Sequence, residues 1–310
     1  MKLFDLHCDT ITECSVEGKK LRKNDLHISL KKADYLENWC QLFAIWMPDE
    51  YRGKSACDYF EDVFETYNEQ MDINNKLISK CTTVKEIEQA VEQGKFASIL
   101  TVEGGSAVAG DINRINYLYD CGVRLMTLTW NGSNEIANGC LSDNMSGLTS
   151  FGKDAVKRMQ EIGMLVDVSH LNEAGFYDVA EISKESSKPF IATHSCSNKI
   201  HRHIRNLTNE QIMLIIESSG LIGLNLFRRF IGGDSFDKVY AHIDHMLSLG
   251  AEKTLSIGSD FDGCTIIMEL SGIDSMPALY EYLLGRNIKQ NVVDDIFFNN
   301  AYNFFVNNLS

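Results

Sequence analysis

The chain has 310 residues, 44% hydrophobic and 23% charged, which supplies ample apolar material for a large core and is ordinary for a globular protein. Its net charge of −14, with 29 dispersed Lys and Arg, argues against a nucleic acid or an anionic membrane surface as partner. The nine cysteines (8, 14, 40, 57, 81, 121, 140, 196 and 264) are odd in number and form no C-x-x-C pair, so a reducing compartment is expected and a disulfide framework is not.

The first ten residues, MKLFDLHCDT, turn acidic early and hold no signal-peptide apolar region. No apolar run approaches the ~18 residues needed to span a bilayer. A cytoplasmic protein is the expectation.

In chain order, strands are predicted at 2–7 and 40–47, then a long helix over 58–80. A helix over 83–94 opens with TTVKEIE, whose Thr three residues before Glu resembles a capping box. A strand at 97–103 precedes a helix over 111–121 that stops at Gly122. Next come a strand at 123–129 and a helix over 149–162 ending at Gly163. Strands at 164–169, 190–194, 221–226 and 254–259 are followed by helices over 172–183, 208–218, 236–249 and 276–284, with a last helix over 291–307. The strands are mostly continuous apolar runs, as in SILTVEGG and LIGLNLF, which suits strands covered on both faces.

Eight strands alternating with helices predict an α/β fold of the (β/α)8 TIM-barrel type. An open doubly wound sheet is the competitor, but no G-x-G-x-x-G follows the first strand and no P-loop is present. Three prolines and no linker or low-complexity tract predict a single domain over 1–310.

Side chains of metal-ligand type stand where these strands stop. They are His7 and Asp9, Glu103, His170 and His194, with Asp260 after the eighth strand. In such a barrel the carboxyl ends of the strands build the active site. His7 and Asp9, two apart in extended chain, project to one side while Cys8 points away. One bridging carboxylate, with an N/O pair on one side and two imidazoles on the other, fits two Zn²⁺ ions. Two such ions would hold a shared hydroxide as nucleophile and polarise a carbonyl.

Asp260 in GSDFDG is expected to orient that water and shuttle its proton, whereas Asp262 suits the turn leading to Gly263. A lone histidine is usually a surface or satisfied core residue, and His27, His242 and His245 are read that way. Cys8, Cys14 and Cys196 have no partner at metal spacing and are not expected as ligands.

At these residues the sequence resembles the membrane dipeptidase (renal dipeptidase) family of zinc peptidases. The matching pieces are DLHCD, TVEGG, DVSH, THS with RN eleven residues after its His, and GSDFDG, in family order across nearly the whole chain. The resemblance implies a (β/α)8 barrel, one zinc on His7 and Asp9, a second on His170 and His194, and Glu103 bridging them. It implies Asp260 as acid/base beside the substrate amine and Arg205 as anchor for the free carboxylate. Arg202, His201 and His203 then belong to the rim or a helix start.

The chain departs from the pattern after MTLT. Many members carry a His there that steadies the developing oxyanion; here Trp130 and then Asn131 stand in that place. The indole N–H or the Asn131 amide would substitute in part, or Trp130 is simply a pocket wall. Secretory and lipid-anchor signals of the animal members are absent from the sequence.

The function implied is hydrolysis of free dipeptides, with the Asn/Ser/Gly-rich segment 131–147 bordering the pocket. The enzymatic alternative is an amidohydrolase acting on N-acyl amino acids or small lactams. The non-enzymatic one is a catalytically silent metal-binding barrel. The sequence leaves a homodimer open.

Overall fold

The structure is a computed structural model and describes residues 1–309. Nine strands follow the apolar runs: β1 (Lys2–Cys8), β2 (Asn38–Trp46), β3 (Ile78–Lys80), β4 (Phe96–Glu103), β5 (Val123–Thr127), β6 (Leu165–Asp167), β7 (Ala192–Ser195), β8 (Ile222–Leu224) and β9 (Leu255–Ile257). The ladders are parallel, and eight strands run in the order β6-β5-β4-β2-β1-β9-β8-β7. A parallel bridge between Asp167 and Ile191 joins the two ends of that order and closes the barrel. The short β3 flanks β4 outside the ring.

Between strands the chain returns through α1 (Thr10–Glu17), α2 (Lys54–Ile73), α3 (Val84–Glu92), α4 (Ile112–Asp120), α5 (Ser150–Ile162), α6 (Glu173–Ser186) and α7 (Asn209–Glu217). The short α8 (Arg228–Ile231) and then α9 (Phe236–Ser248) follow β8, and α10 (Met276–Gly285), α11 (Gln290–Asp294) and α12 (Asn300–Asn308) complete the fold. Helix starts and stops follow local chemistry. Thr83 and Glu86 form the expected capping box of α3, and Gly163 ends α5 in the left-handed conformation that a side chain resists.

Three details differ from the sequence expectation. The predicted helix over 58–80 ends at Ile73, and Ile78–Lys80 instead pair with Phe96–Ser98. The helix α1 went unpredicted because TITECSV is rich in β-branched residues of low helix propensity. The predicted helix over 291–307 is interrupted by a π-turn at Asp295–Asn299. There Ser256 Oγ donates to the Ile296 carbonyl, and Phe298 reaches Phe4 at 6.2 Å between ring centroids.

Inside the ring, β7, β8 and β9 approach closely because two glycines allow it. A Cβ on Gly223 or Gly258 would sit 1.9 or 1.8 Å from the Thr193 carbonyl oxygen. Among the described residues no helix is long and apolar enough to cross a membrane.

Candidate metal centre and active site

All five expected ligands and Asp260 converge at the carboxyl end of the barrel, none more than 8% exposed. Glu103, the last residue of β4, stands at the centre. Its Oε1 is 3.0 Å from His170 Nε2 and 3.3 Å from His194 Nε2, and its Oε2 is 3.6 Å from His7 Nε2. His7 Nε2 lies 3.4 Å from Asp9 Oδ2. The carboxylate therefore stands between an imidazole pair and the His7–Asp9 pair. Donor atoms of His7, Glu103 and His194 lie within 4.8 Å of one another, as do those of His7, Asp9 and Asp260.

The set fits a metal on its own chemistry. Nε2 of His7, Nε2 of His194 and Oδ1 of Asp9 are buried with no hydrogen-bond partner. Orphaned buried polar atoms are costly, and cations bound among them would satisfy all three together. Imidazole nitrogen and carboxylate oxygen are the donors that Zn²⁺ and similar ions take.

Electrostatics point the same way. Burial opposes charge on His7, yet Glu103 and Asp9 hold its imidazole well above the ordinary range. Burial likewise opposes charge on Glu103, but His7 and His170 keep its carboxylate well below its ordinary range. Burial pushes Asp9 up to about 7 and Asp260 up to about 6. Burial, with Arg205 nearby, lowers His170 to about 4, and burial with His7 nearby lowers His194 well below its range. Buried carboxylates packed together without a cation must share protons, and a dication removes that need.

Two of the imidazoles are oriented from behind. His170 Nδ1 is 3.1 Å from Asn131 Oδ1, a contact that assigns the proton to Nδ1 and leaves Nε2 free as a ligand. His194 Nδ1 is 2.8 Å from Thr193 Oγ1, whose hydroxyl donates to Asp167 Oδ2 at 2.5 Å. Asp167 also accepts from the Thr127 hydroxyl and the Ser169 amide, so its position is fixed on several sides.

The backbone is strained where chemistry is expected. His170 (φ 67°) and Asp260 (φ 60°) occupy the left-handed region without being glycine. Asp260 Oδ2 accepts from Asn225 Nδ2 at 2.9 Å. A Cβ on Gly263 would meet Asp9 Oδ2 at 2.0 Å and Asp260 Oδ1 at 2.6 Å, so only glycine lets this turn lie against both acids.

Asp262 faces elsewhere, as the turn reading requires. Its carboxylate accepts from the Thr10 hydroxyl and from the amides of His27 and Ile28. His242 is a satisfied core residue, accepting from the Ser197 amide and donating to the Ile231 carbonyl. Cys8 and Cys196 are buried away from the cluster in the apolar core.

Beside the cluster lies a cleft of about 480 Å³ that Asp9, Glu103, His170 and Asp260 help to line. Arg205, only 6% exposed, enters its wall, donating Nη2 to the His194 carbonyl while its Nε has no partner. His203 accepts from the Arg205 amide and also lines the cleft. Trp130 packs edge-on against Trp46 at 4.9 Å as a wall, and Leu141 brings segment 131–147 to the rim.

Sequence reasoning missed Asn225, Thr193 and Asp167 behind the site, and Phe227, Arg229 and Phe230 in its wall. Asn225 in LIGLNLF and Asp167 in MLVDVSH are polar residues inside apolar runs, and that was the available signal.

Comparison with known proteins agrees with this geometry. The model of the membrane dipeptidase family (peptidase family M19) matches residues 1–306. A Klebsiella pneumoniae protein, uncharacterized and encoded in the pqqA 5′ region, is 30% identical over 233 residues, covering 71% of this chain and 85% of its own. Among solved structures, the M19 metallopeptidase "dipeptidase AC" superposes with a TM-score of 0.92 at 24% identity, covering 100% of this chain and 99% of its own. A metallopeptidase from Rhodobacter sphaeroides, liganded with a phosphinate mimic of the dipeptide L-Ala-D-Ala, gives 0.92 at 23% identity over the same shares. These structural likenesses carry the barrel fold.

Proposed function

The chain belongs to the membrane dipeptidase family, metal-dependent hydrolases of the peptide bond, and from that premise we propose that it is a zinc-dependent dipeptidase formed as one catalytic domain. We assign one zinc to His7 and Asp9, a second to His170 and His194, and the carboxylate of Glu103 to both. The observation that carries the reading is the orphaned Nε2 atoms of His7 and His194, which converge with Glu103 at the floor of a cleft. Such a metal pair supplies water activation and polarisation of the scissile carbonyl.

The chain's own groups do the rest. Asp260, its Oδ2 held by Asn225, is the group that takes the proton from water at Oδ1 and returns it to the leaving amine. The acids at this end attract the substrate's free amine. Arg205 pairs with the free carboxylate, for which its unpartnered Nε and planar guanidinium are suited. Trp130 and Trp46 wall the cleft and exclude water, and Asn131 holds His170 in its ligand tautomer. Recognition of both free ends explains why dipeptides, rather than longer peptides, are the substrates. Its nine unpaired cysteines favour the reducing cytoplasm.

The test is hydrolysis of a free dipeptide series against its N-acetylated and C-amidated versions. Turnover of the free series alone, abolished by chelation, is the expected result. Equal turnover of the N-acetylated series would transfer the enzyme to acyl-amino-acid hydrolysis.

A further inference from the structure

One wall of the cleft is a ladder of charge and ring. The Arg205 guanidinium carbon lies 5.2 Å from the centre of Phe230, Phe230 meets Phe227 edge to face at 4.7 Å, and the Arg229 guanidinium carbon lies 5.9 Å from Phe227. All four residues line the same cleft as the metal cluster. Phe227 and Arg229 also line an open surface hollow of about 780 Å³ next to the cleft.

A dipeptide has one α-carboxylate, and Arg205 answers it. The second guanidinium has no such duty. Its chain neighbour Arg228 is engaged by Asp234 at 2.6 Å, while Arg229 forms no ion pair among the described residues. Asp262, which also borders this stretch, makes no ion pair with Arg229: its side chain is 2% exposed and its oxygens bond Thr10, His27 and Ile28. The other carboxylates of the cleft belong to the metal cluster or, as Glu13, to helix α1 beside it. In a chain of net charge −14, an unpaired cation on the cleft wall is a place where an anion is attracted selectively.

We propose that Arg229 selects dipeptides whose second residue carries a carboxylate side chain, aspartate or glutamate; this rests on the dipeptidase reading above. Orientation decides which residue carries the acid. The first residue sits at the end holding Asp9, Glu103 and Asp260, so its side chain is not the one placed at the Arg205 end of the ladder. The second has its α-carboxylate at Arg205, so its side chain is the part that reaches along the aromatic pair toward Arg229. Phe227 supports that guanidinium by a cation–π contact and restricts its freedom.

The experiment compares alanyl-glutamate with its isostere alanyl-glutamine on the zinc-loaded protein. The kcat/KM ratio should favour glutamate by up to roughly fivefold, the upper end for a pair made by an exposed side chain such as Arg229, and should shrink with added salt. Arg229→Gln should bring the ratio close to unity, whereas Arg228→Gln should leave it in place. No preference in the parent protein, or a preference that survives Arg229→Gln, overturns the proposal. So does Arg229-dependent cleavage of neutral trialanine, which would make this arginine an anchor for a longer chain's terminus. Calorimetric binding of the same two dipeptides to chelator-treated protein separates the two readings. An Arg229-dependent binding preference in that metal-free protein, with neither dipeptide hydrolysed once zinc is restored, sustains the proposal and overturns the dipeptidase assignment. Hydrolysis of both, with equal binding and equal rates, does the reverse.

Discussion

The two ends of this barrel are built from opposite materials. At the amino end, Phe4 stacks on Phe305 at 5.0 Å and touches Phe298, within a cluster of buried apolar residues that α12 covers. At the carboxyl end three acids and three histidines share a buried space, two of the six on strained backbone and several with unmet polar atoms. The apolar end contributes stability, and the polar end is supported at its expense. A perturbation at one end should therefore be nearly silent in the readout of the other.

Asp260→Asn gives the largest expected effect, a loss of roughly 10²–10⁴ in kcat from removal of the acid/base group. Its urea midpoint should stay put or rise, since a buried carboxylate pushed up to about 6 is itself a burden. A parallel fall in stability would break the division. Phe4→Ala, at the other end, should cost about 3–5 kcal/mol in equilibrium unfolding while folded molecules keep their kcat; a changed kcat would show that the floor positions the site.

His242, on α9, bonds the segments that follow β7 and β8 and tests the carboxyl end by pH. Burial lowers its imidazole to about 4 against the opposing pull of its bond to the Ile231 carbonyl, and the ring nitrogen that accepts from the Ser197 amide must stay unprotonated to do so. The unfolded ring, with an ordinary value near ~6.5, takes up a proton first. Between about 6.5 and 4 the unfolded state binds more protons, so stability falls as pH falls, by up to about 3 kcal/mol. In metal-stripped protein, His242→Phe should flatten that decline relative to the parent. Identical slopes would remove His242 from the account.

Thr193→Val should have the smallest effect. It cuts the link from His194 to Asp167 and should weaken metal binding roughly 10- to 100-fold in a chelator competition, with the unfolding midpoint of the metal-free protein little changed. Unaltered metal affinity would mean that packing alone orients His194.

What could be read beforehand follows the same division. Strand-forming apolar runs and the ligand residues that end them stand in single segments, so the barrel and the cluster of His7, Asp9, Glu103, His170, His194 and Asp260 were legible. Whatever depends on residues distant in sequence was not. The contact between Asn131 and His170 spans 39 positions, and that between Asn225 and Asp260 spans 35, with no local pattern to mark either. Helix α1 was hidden because its β-branched residues read as strand, and because Asp9, which stands at its N-cap, was read as a ligand of the cluster it faces. Strand β3 is three residues long and continues the polar–apolar rhythm of α2, so its sequence alone held no boundary.

The carboxylate of Asp262 joins residues 252 positions apart in the chain, fastening the loop after the last barrel strand to Thr10 after the first. The loop that carries Asp260 is thereby tied to the start of the chain, and one contact spans the first and last barrel strands beside His7 and Asp9. A nascent or partly unzipped molecule holds some of the ligands yet lacks Asp260 in its place.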